Sequence, residues 1–451
     1  MTDTADHVNS LAEAAPPRVD DAPSASGAAA RLMPLIEELT GAPAPLRVRA
    51  WDGSTAGTLG APTLVLRSRR ALRRLLWQPD ELGLAQAYVS GDLDVEGDLR
   101  DALRTLRRAV EERGLVRQRP TAASLARAAL TAARLGAVGP RPAPPQGQAR
   151  LRGTLHSRSR DRAAISHHYD LSNDFYQLLL DPSMAYSCAY WADTDTDVVH
   201  GYTVADAQRD KLDLICRKLA LRPGMRMLDI GCGWGALVLH AAQHYGVHAV
   251  GVTLASEQAR FVRHRVTEWG LGDRVEIRHQ HWRDVEAAGF DAVTTIEMGE
   301  HVGDDQYPEF AHLLHRALAP GGQLLLQQMS RGVHAPGGGA FIGSFIAPDM
   351  HMRPLSATLG LLEGAGFEIR DVQALREHYV TTVDAWHDTL EERWEEFAAL
   401  VGEVTARIWR LYLVGSSLAF EQGRMGVDQV LAQRSTDPAA GPGLPRPRTA
   451  R

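Results

Sequence analysis

Cysteine is scarce, with only Cys188, Cys216 and Cys232 in 451 residues. An odd, sparse set without metal-ligand spacing argues against a disulfide framework and for a reducing compartment. Long apolar runs are also missing: none approaches the ~20 residues that span a bilayer. The first thirty residues, largely Ala, Pro, Ser and Asp, hold no hydrophobic signal region. The expected location is therefore cytoplasmic, at most peripheral on the inner face of the plasma membrane. A surplus of positive charge is lacking too, since the net charge is −6, and this argues against a general nucleic-acid binder.

Charge is nevertheless unevenly placed. From Arg113 to Arg160 there are ten arginines and no acid. On charge alone this is a solvated linker; it becomes a patch for anionic headgroups only if the substrate lives in a membrane, each cation then contributing roughly 1 kcal/mol.

The length exceeds one ordinary domain, and 44% apolar residues suffice for at least one filled core. Residues 1–30 read as a disordered tail. Residues 31–118 read as a small α+β domain, with LRVRAWDG and PTLVLRS as strands and RRALRRLLW and DALRTLRRAVEERG as helices. Residues 119–160 are an Arg/Pro-rich linker in which AASLARAALTAARLGAV is helical and GPRPAPPQGQAR breaks regular structure. Residues 161–433 form the larger domain and 434–451 a second disordered tail.

The larger domain alternates strands (MRMLDIG, HAVGVTL, VEIRHQ, FDAVTTIEM, GGQLLLQQM) with helices (GALVLHAAQHYG, ASEQARFVRHRVTEWG, YPEFAHLLHRAL). That pattern predicts an α/β fold with a mostly parallel sheet, helices on both faces and ligands beyond the carboxyl ends of the strands. The stretch from Val383 to Arg434 reads as long helices with core-like apolar spacing.

Within this frame LDIGCGWG ends a strand and opens a helix, with Gly231, Gly233 and Gly235 after Asp229. The spacing is not Gly-x-Gly-x-x-Gly, and Thr253 stands where a dinucleotide site carries an acid for the ribose. A nucleoside without phosphates, such as S-adenosylmethionine, fits better. Thr253 and Gln258 either hydrogen-bond that ligand or serve the turn into the next helix.

HHYDLSNDFYQLLLDPSMAYSCAYW, MRMLDIGCGWGALVLHAA, GVTLASEQ, WRDV and EHVG run in order from about His167 to Gln422. Together they resemble the cyclopropane-fatty-acyl-phospholipid synthases and the related mycolic acid methyltransferases. Residues 32–118 resemble the smaller N-terminal domain of the bacterial phospholipid enzymes. The resemblance implies a Rossmann-like class I S-adenosylmethionine methyltransferase that adds one carbon to the cis double bond of an oleoyl or other unsaturated chain of a phospholipid. It places Tyr186 and Ser187 at the methionine end of the cofactor, Trp282 near the adenine and Ile296 along it. It also implies an anion site for bicarbonate formed by the Cys188 backbone, Glu300 and Tyr379, with Tyr169, Tyr379 and Glu300 beside a developing carbocation. Implied partners are unsaturated phospholipid, an anionic membrane surface, a flavin- or nicotinamide-dependent reductase acting on the product, and a second copy in a homodimer.

Two departures fall at the reacting centre. The family strand after PGG usually carries Leu-Leu-His, whereas LLLQQMS puts Gln327 at the histidine position, and a glutamine does not titrate near neutrality. The usual Gly-Met-Phe-Glu-His becomes EMGEH, which introduces Glu297 and replaces the aromatic with Gly299. With FIGSFIAPDMHMRPL and QQMSR, these features resemble the actinobacterial subgroup that makes 10-methylene, tuberculostearic-type chains. A methylene or methyl branch is thus expected ahead of a cyclopropane. A soluble natural-product methyltransferase and a non-catalytic lipid-binding protein are the alternatives.

Overall fold

A computed structural model describes residues 27–40, 43–112, 121–149, 157, 160, 172–192, 201–286, 288–335 and 338–435. Two compact units emerge, one from residues up to Arg69 with Asp94–Val138, the other from Arg70–Leu93 with the chain from Gly139 onward. The first helix, Ala28–Thr40, begins inside the stretch expected as a tail.

The smaller unit is built on strands β1 (Arg47–Arg49), β2 (Thr55–Gly57), β3 (Thr63–Leu66) and β4 (Leu93–Val95), in the order β2-β1-β3-β4. β1 runs antiparallel to β2 and parallel to β3. The helices expected over 101–114 and 122–138 form as Leu99–Glu112 and Ala122–Arg134, the latter capped by the Thr121 side chain.

The larger unit carries seven strands: β5 (Arg226–Ile230), β6 (His248–Thr253), β7 (Val275–His279), β8 (Phe290–Ile296), β9 (Leu318–Arg331), β10 (Phe367–Ala374) and β11 (Met425–Arg434). Their order is β10-β11-β9-β8-β5-β6-β7. β5 pairs in parallel with both β6 and β8, so the chain reverses its direction of travel across the sheet there. Crevices at such a reversal are where open α/β sheets bind ligands. Alternate residues of β5 serve opposite cores: Met227 joins Ile215 and Val238, while Leu228 and Ile230 join Phe310 and Leu314. Burial on both faces explains why this strand reads as a continuous apolar run.

The expectation of helix up to Arg434 is corrected here. Helices occupy Arg376–Glu392, Trp394–Val401 and Glu403–Glu421, but β11 follows and runs antiparallel between β9 and β10. Val427, Val430, Leu431 and Ala432 are fully buried. A central strand covered on both faces lacks the alternation that marks a half-exposed one, so its sequence passes as more of the preceding helix. Among the described residues no helix is long and apolar enough to cross a membrane.

Candidate active site

A cleft opens beyond the carboxyl ends of β5, β6 and β8. Its walls include Tyr186, Ser187, Asp229, Gly231, Gly233, Thr253, Gln258, Trp282 and Ile296, nine of the ten residues expected to bind cofactor. The tenth, Gly235, caps the following helix with φ 84°, and a Cβ there would lie 2.5 Å from Val262. Gly231 has φ 90°, and its Cβ would meet the Met298 side chain at 2.7 Å. Both positions thus require glycine for backbone and for space.

Thr253 and Gln258 serve the turn and also face the cleft. Both line the cleft, while Thr253 Oγ1 donates to Gln258 Oε1 at 2.8 Å and accepts the Ala255 N–H at 3.2 Å, fastening the turn. Asp229 is buried and accepts a hydrogen bond from Thr294 Oγ1 at 2.8 Å. Burial pushes its pKa up to about 7. Trp282 packs its edge on Phe310 with ring centroids 5.2 Å apart.

Sequence reading missed three groups around the cleft. Lys211, only 2% exposed, lies in the wall and donates from Nζ to Ser187 Oγ at 2.8 Å. Burial lowers its pKa, opposed by Glu297 and Asp181. Gln208 donates to the Ala185 and Ser187 carbonyls at 3.1 and 2.8 Å, holding the Tyr-Ser-Cys segment against the helix Val204–Lys218. His281 lines the cleft beside Trp282. The Thr203–Asp206 capping box starts the helix that carries Gln208 and Lys211, which repeat on one face at i and i+3.

This lining suits a nucleoside with an amino-acid tail. Trp282, Thr253 and Gln258 offer a flat apolar face and neutral hydrogen-bonding groups. Among the described residues Lys211 is the one Lys or Arg in the wall, which matches a single carboxylate better than a pyrophosphate.

Glu297 stands at the end of β8, where the cleft meets the Tyr186–Cys188 segment. Its carboxylate accepts three hydrogen bonds: the Cys188 backbone N–H at 2.8 Å and Gln327 Nε2 at 2.8 Å on Oε1, and the Tyr379 hydroxyl at 2.7 Å on Oε2. These donors are two of the expected bicarbonate partners and the residue at the missing histidine's position. The side chain of Glu297 therefore takes the place in this ring that the resemblance gave to bicarbonate. Its backbone has φ 52°, in the left-handed region, where a non-glycine residue costs about 1–3 kcal/mol. Such strain at the position where the family usually has glycine is borne for the placement of a carboxylate. Burial raises its pKa, and the three donors and Lys211 oppose that rise.

Glu300 lies outside the ring. It is 0% exposed and accepts the Met329 N–H on Oε1 at 2.5 Å, while Oε2 has no hydrogen-bond partner among the described residues. Burial, then the charge of Glu297, raises its pKa to about 8, so it is mostly protonated at neutral pH. The Cys188 thiol is buried and its pKa is raised by burial, which makes it inert; the contact to Glu297 comes from its backbone N–H. Tyr169 lies outside the described residues.

Aromatic rings enclose this centre. Tyr186 lies 5.5 Å from Tyr176, 5.3 Å from Trp386 and 6.0 Å from Trp409, and Tyr379 lies 4.5 Å from Phe420. The Tyr186 hydroxyl donates to that of Tyr412 at 3.2 Å. The C-terminal helices thus contribute walls to the site as well as core.

The exchange of an aromatic for Gly299 is coupled to the second glutamine of QQM. Gln328 Oε1 accepts the Tyr307 hydroxyl at 2.5 Å, and a Cβ on residue 299 would lie 2.0 Å from that same oxygen. Gly299→Ala is expected to lower stability by about 1–3 kcal/mol by displacing a buried hydrogen-bonded amide. Chemical denaturation of the two proteins measures this, and in a Gln328→Ala background the same change should cost little, because the amide it would displace is gone.

Comparison with known proteins agrees with this geometry. Residues 156–430 match the family model described as mycolic acid cyclopropane synthetase. A probable fatty acid methyltransferase of Mycobacterium tuberculosis, Rv3720, is 39% identical over 420 residues, covering 89% of this chain and 93% of the relative. Tuberculostearic acid methyltransferase UfaA1 of the same organism is 32% identical over 397 residues, covering 85% and 87%. The crystal structure of mycolic acid cyclopropane synthase CmaA1 complexed with SAH and CTAB superposes with a TM-score of 0.55 at 32% identity, covering 60% of this chain and 98% of that one. With its glycine-lined cleft and Tyr-Ser-Cys wall, the chain belongs to the mycolic acid cyclopropane synthetase family and is an S-adenosylmethionine-dependent methyltransferase.

Proposed function

We propose that the enzyme methylates the cis double bond of an unsaturated acyl chain in a phospholipid and releases a 10-methylene chain, the precursor of a methyl branch. The observation that carries this reading is the Glu297 carboxylate, held by Cys188, Gln327 and Tyr379 at the inner end of the cofactor cleft.

S-adenosylmethionine, when bound, supplies an electrophilic methyl group. Ser187 and Lys211 would hold its amino-acid end, and Thr253, Gln258 and Trp282 its nucleoside. The chain's own residues then meet two demands. A cis alkene is a weak nucleophile, so water must be kept out, and the packed rings of Tyr176, Tyr186, Trp386 and Trp409 do so. Positive charge develops on the acyl chain, and aromatic faces together with a fixed carboxylate stabilise it.

Methyl transfer to one alkene carbon leaves the cation on its neighbour; a hydride shifts from the methylated carbon to that neighbour, and the new methyl then gives up a proton to leave the exocyclic methylene. Glu297 accepts this proton: burial makes this carboxylate a stronger base than one in water, while its three donors oppose that rise and aim it. Bicarbonate is not required, because the base is built into the chain. The names of the relatives Rv3720 and UfaA1 support a fatty-acyl substrate, and the latter name supports a tuberculostearic-type product. Anionic membrane is the expected source of that substrate.

Proton NMR of lipid recovered after incubation with S-adenosylmethionine and oleoyl phosphatidylglycerol vesicles tests the product. Vinylic methylene signals are expected. Upfield cyclopropane signals would overturn the branching part of the reading while leaving acyl methylation in place. Unaltered lipid would overturn the substrate assignment.

A further inference from the structure

Gln429 is fully buried on β11, directly across the ladder from Gln327 on β9. Its Nε2 donates to Gln327 Oε1 at 2.9 Å. Gln327 in turn gives Nε2 to Glu297 Oε1 at 2.8 Å and to the Cys188 carbonyl at 3.3 Å. The two ends of a primary amide are nearly equal in size, so packing alone does not decide which one faces a neighbour; hydrogen-bond partners do. Around Gln327 the decision comes from one side. Glu297 and the Cys188 carbonyl are acceptors and already call for N–H; a donor on the far side, facing the amide oxygen, pins the group in place and polarises its N–H toward the carboxylate. Gln429 is that donor.

From this chain of contacts we infer that Gln429 is a positioning residue for the reaction: through Gln327 it fixes the orientation and proton affinity of the Glu297 carboxylate. It touches neither the cleft nor, on this account, the substrate. The role rests on the reading of Glu297 as the base, and the test below separates the two.

Gln429 performs this service at a cost to the fold. Its own Oε1 is buried without a hydrogen-bond partner among the described residues. An unmet buried acceptor is destabilising, whereas an apolar side chain of the same length has no such demand. A residue kept for packing alone would be better replaced by methionine. Gln429→Met removes that orphaned oxygen but leaves the buried Gln327 Oε1 without its donor, so the two effects offset and stability is expected to change little while function falls.

Without the donor at 429 the Gln327 amide is no longer pinned and can swing its N–H off the carboxylate. Glu297 then loses a hydrogen bond that favours its charged form, so its titration moves to higher pH. Gln429→Met is expected to melt close to the wild-type temperature. Its turnover at neutral pH should fall about tenfold, the usual worth of one hydrogen bond to a charged group, and the acid limb of its pH–rate profile should shift upward. Gln429→Glu, which presents an acceptor to Gln327 and favours the reversed amide, should lose more.

The direct readout is independent of turnover. In protein carrying 13C at the glutamate carboxyls, the Glu297 signal is assigned by its absence from Glu297→Gln, then titrated in wild type and in Gln429→Met. A higher midpoint in the variant supports the positioning role. An unmoved midpoint overturns it, whatever happens to the rate. If the midpoint moves while the pH–rate profile does not, Gln429 still positions Glu297 and the assignment of Glu297 as the base is what fails.

Discussion

Glu297→Gly loses about 10²–10³-fold in turnover in bicarbonate-free buffer, the usual worth of a positioned base, and recovers much of it when bicarbonate is added. The argument starts from the backbone. With φ 52° at this position glycine relieves backbone strain, which offsets the loss of an acceptor for three donors, so the variant is expected to fold. Removal of the carboxylate leaves the Cys188 N–H, the Gln327 amide and the Tyr379 hydroxyl converging on one point with nothing to accept them. A small planar anion can accept from all three and supply an oxygen base. Initial rates of methyl transfer to oleoyl phospholipid, measured against added bicarbonate, check the result. A variant with full activity in the absence of bicarbonate would remove Glu297 from the mechanism.

The second large effect concerns stability against pH. Glu300 has its pKa raised from 4.5 to about 8 in the folded protein, first by burial and then by the charge of Glu297. The unfolded chain releases this proton near the ordinary value, while the folded protein keeps it until about pH 8. Between these limits the native state binds more protons, so stability falls as pH rises, and the loss is complete above the folded pKa. The difference of about 3.5 pH units corresponds to roughly 4–5 kcal/mol. Glu300→Gln is neutral at every pH and keeps an oxygen for the Met329 N–H. It should match the wild type near pH 4 and exceed it by several kcal/mol at pH 9. Urea denaturation of both proteins across this range measures the gap; parallel curves would show that Glu300 ionises normally in the fold.

Legibility in the sequence followed the locality of each feature. The glycine turn, Asp229, Thr253 and Gln258 belong to one strand-turn-helix unit and the strand and helix that follow it, so their spacing alone located the cleft. Tyr186 and Ser187 came from resemblance, and the fold brings them to the same wall. Lys211 escaped notice because a lysine in VADAQRDKLDLICRK passes as part of a solvated face; only packing under the Tyr-Ser-Cys segment makes it internal. Gln429 was hidden for another reason, since its strand is covered on both faces and was read as helix.

Glu297 and Gln327 lie between these cases. Each was visible as a departure at the reacting centre, but as two unrelated substitutions. Thirty residues separate them, and their direct hydrogen bond arises from the parallel pairing of β8 with β9, where Ile296 stands opposite Gln327. The coupling of Gly299 to Gln328 has the same origin. Changes at neighbouring points of adjacent strands compensate one another, and only the register reveals that they are neighbours.

The most direct test of a built-in carboxylate is the rate of the unmodified enzyme in buffer stripped of carbon dioxide, with bicarbonate then restored. The structure predicts the same rate before and after, because Glu297 already accepts from the three donors that an added anion would need. A rate that collapses on stripping and returns with bicarbonate would contradict the account and place an exogenous anion, rather than Glu297, at the centre of the reaction.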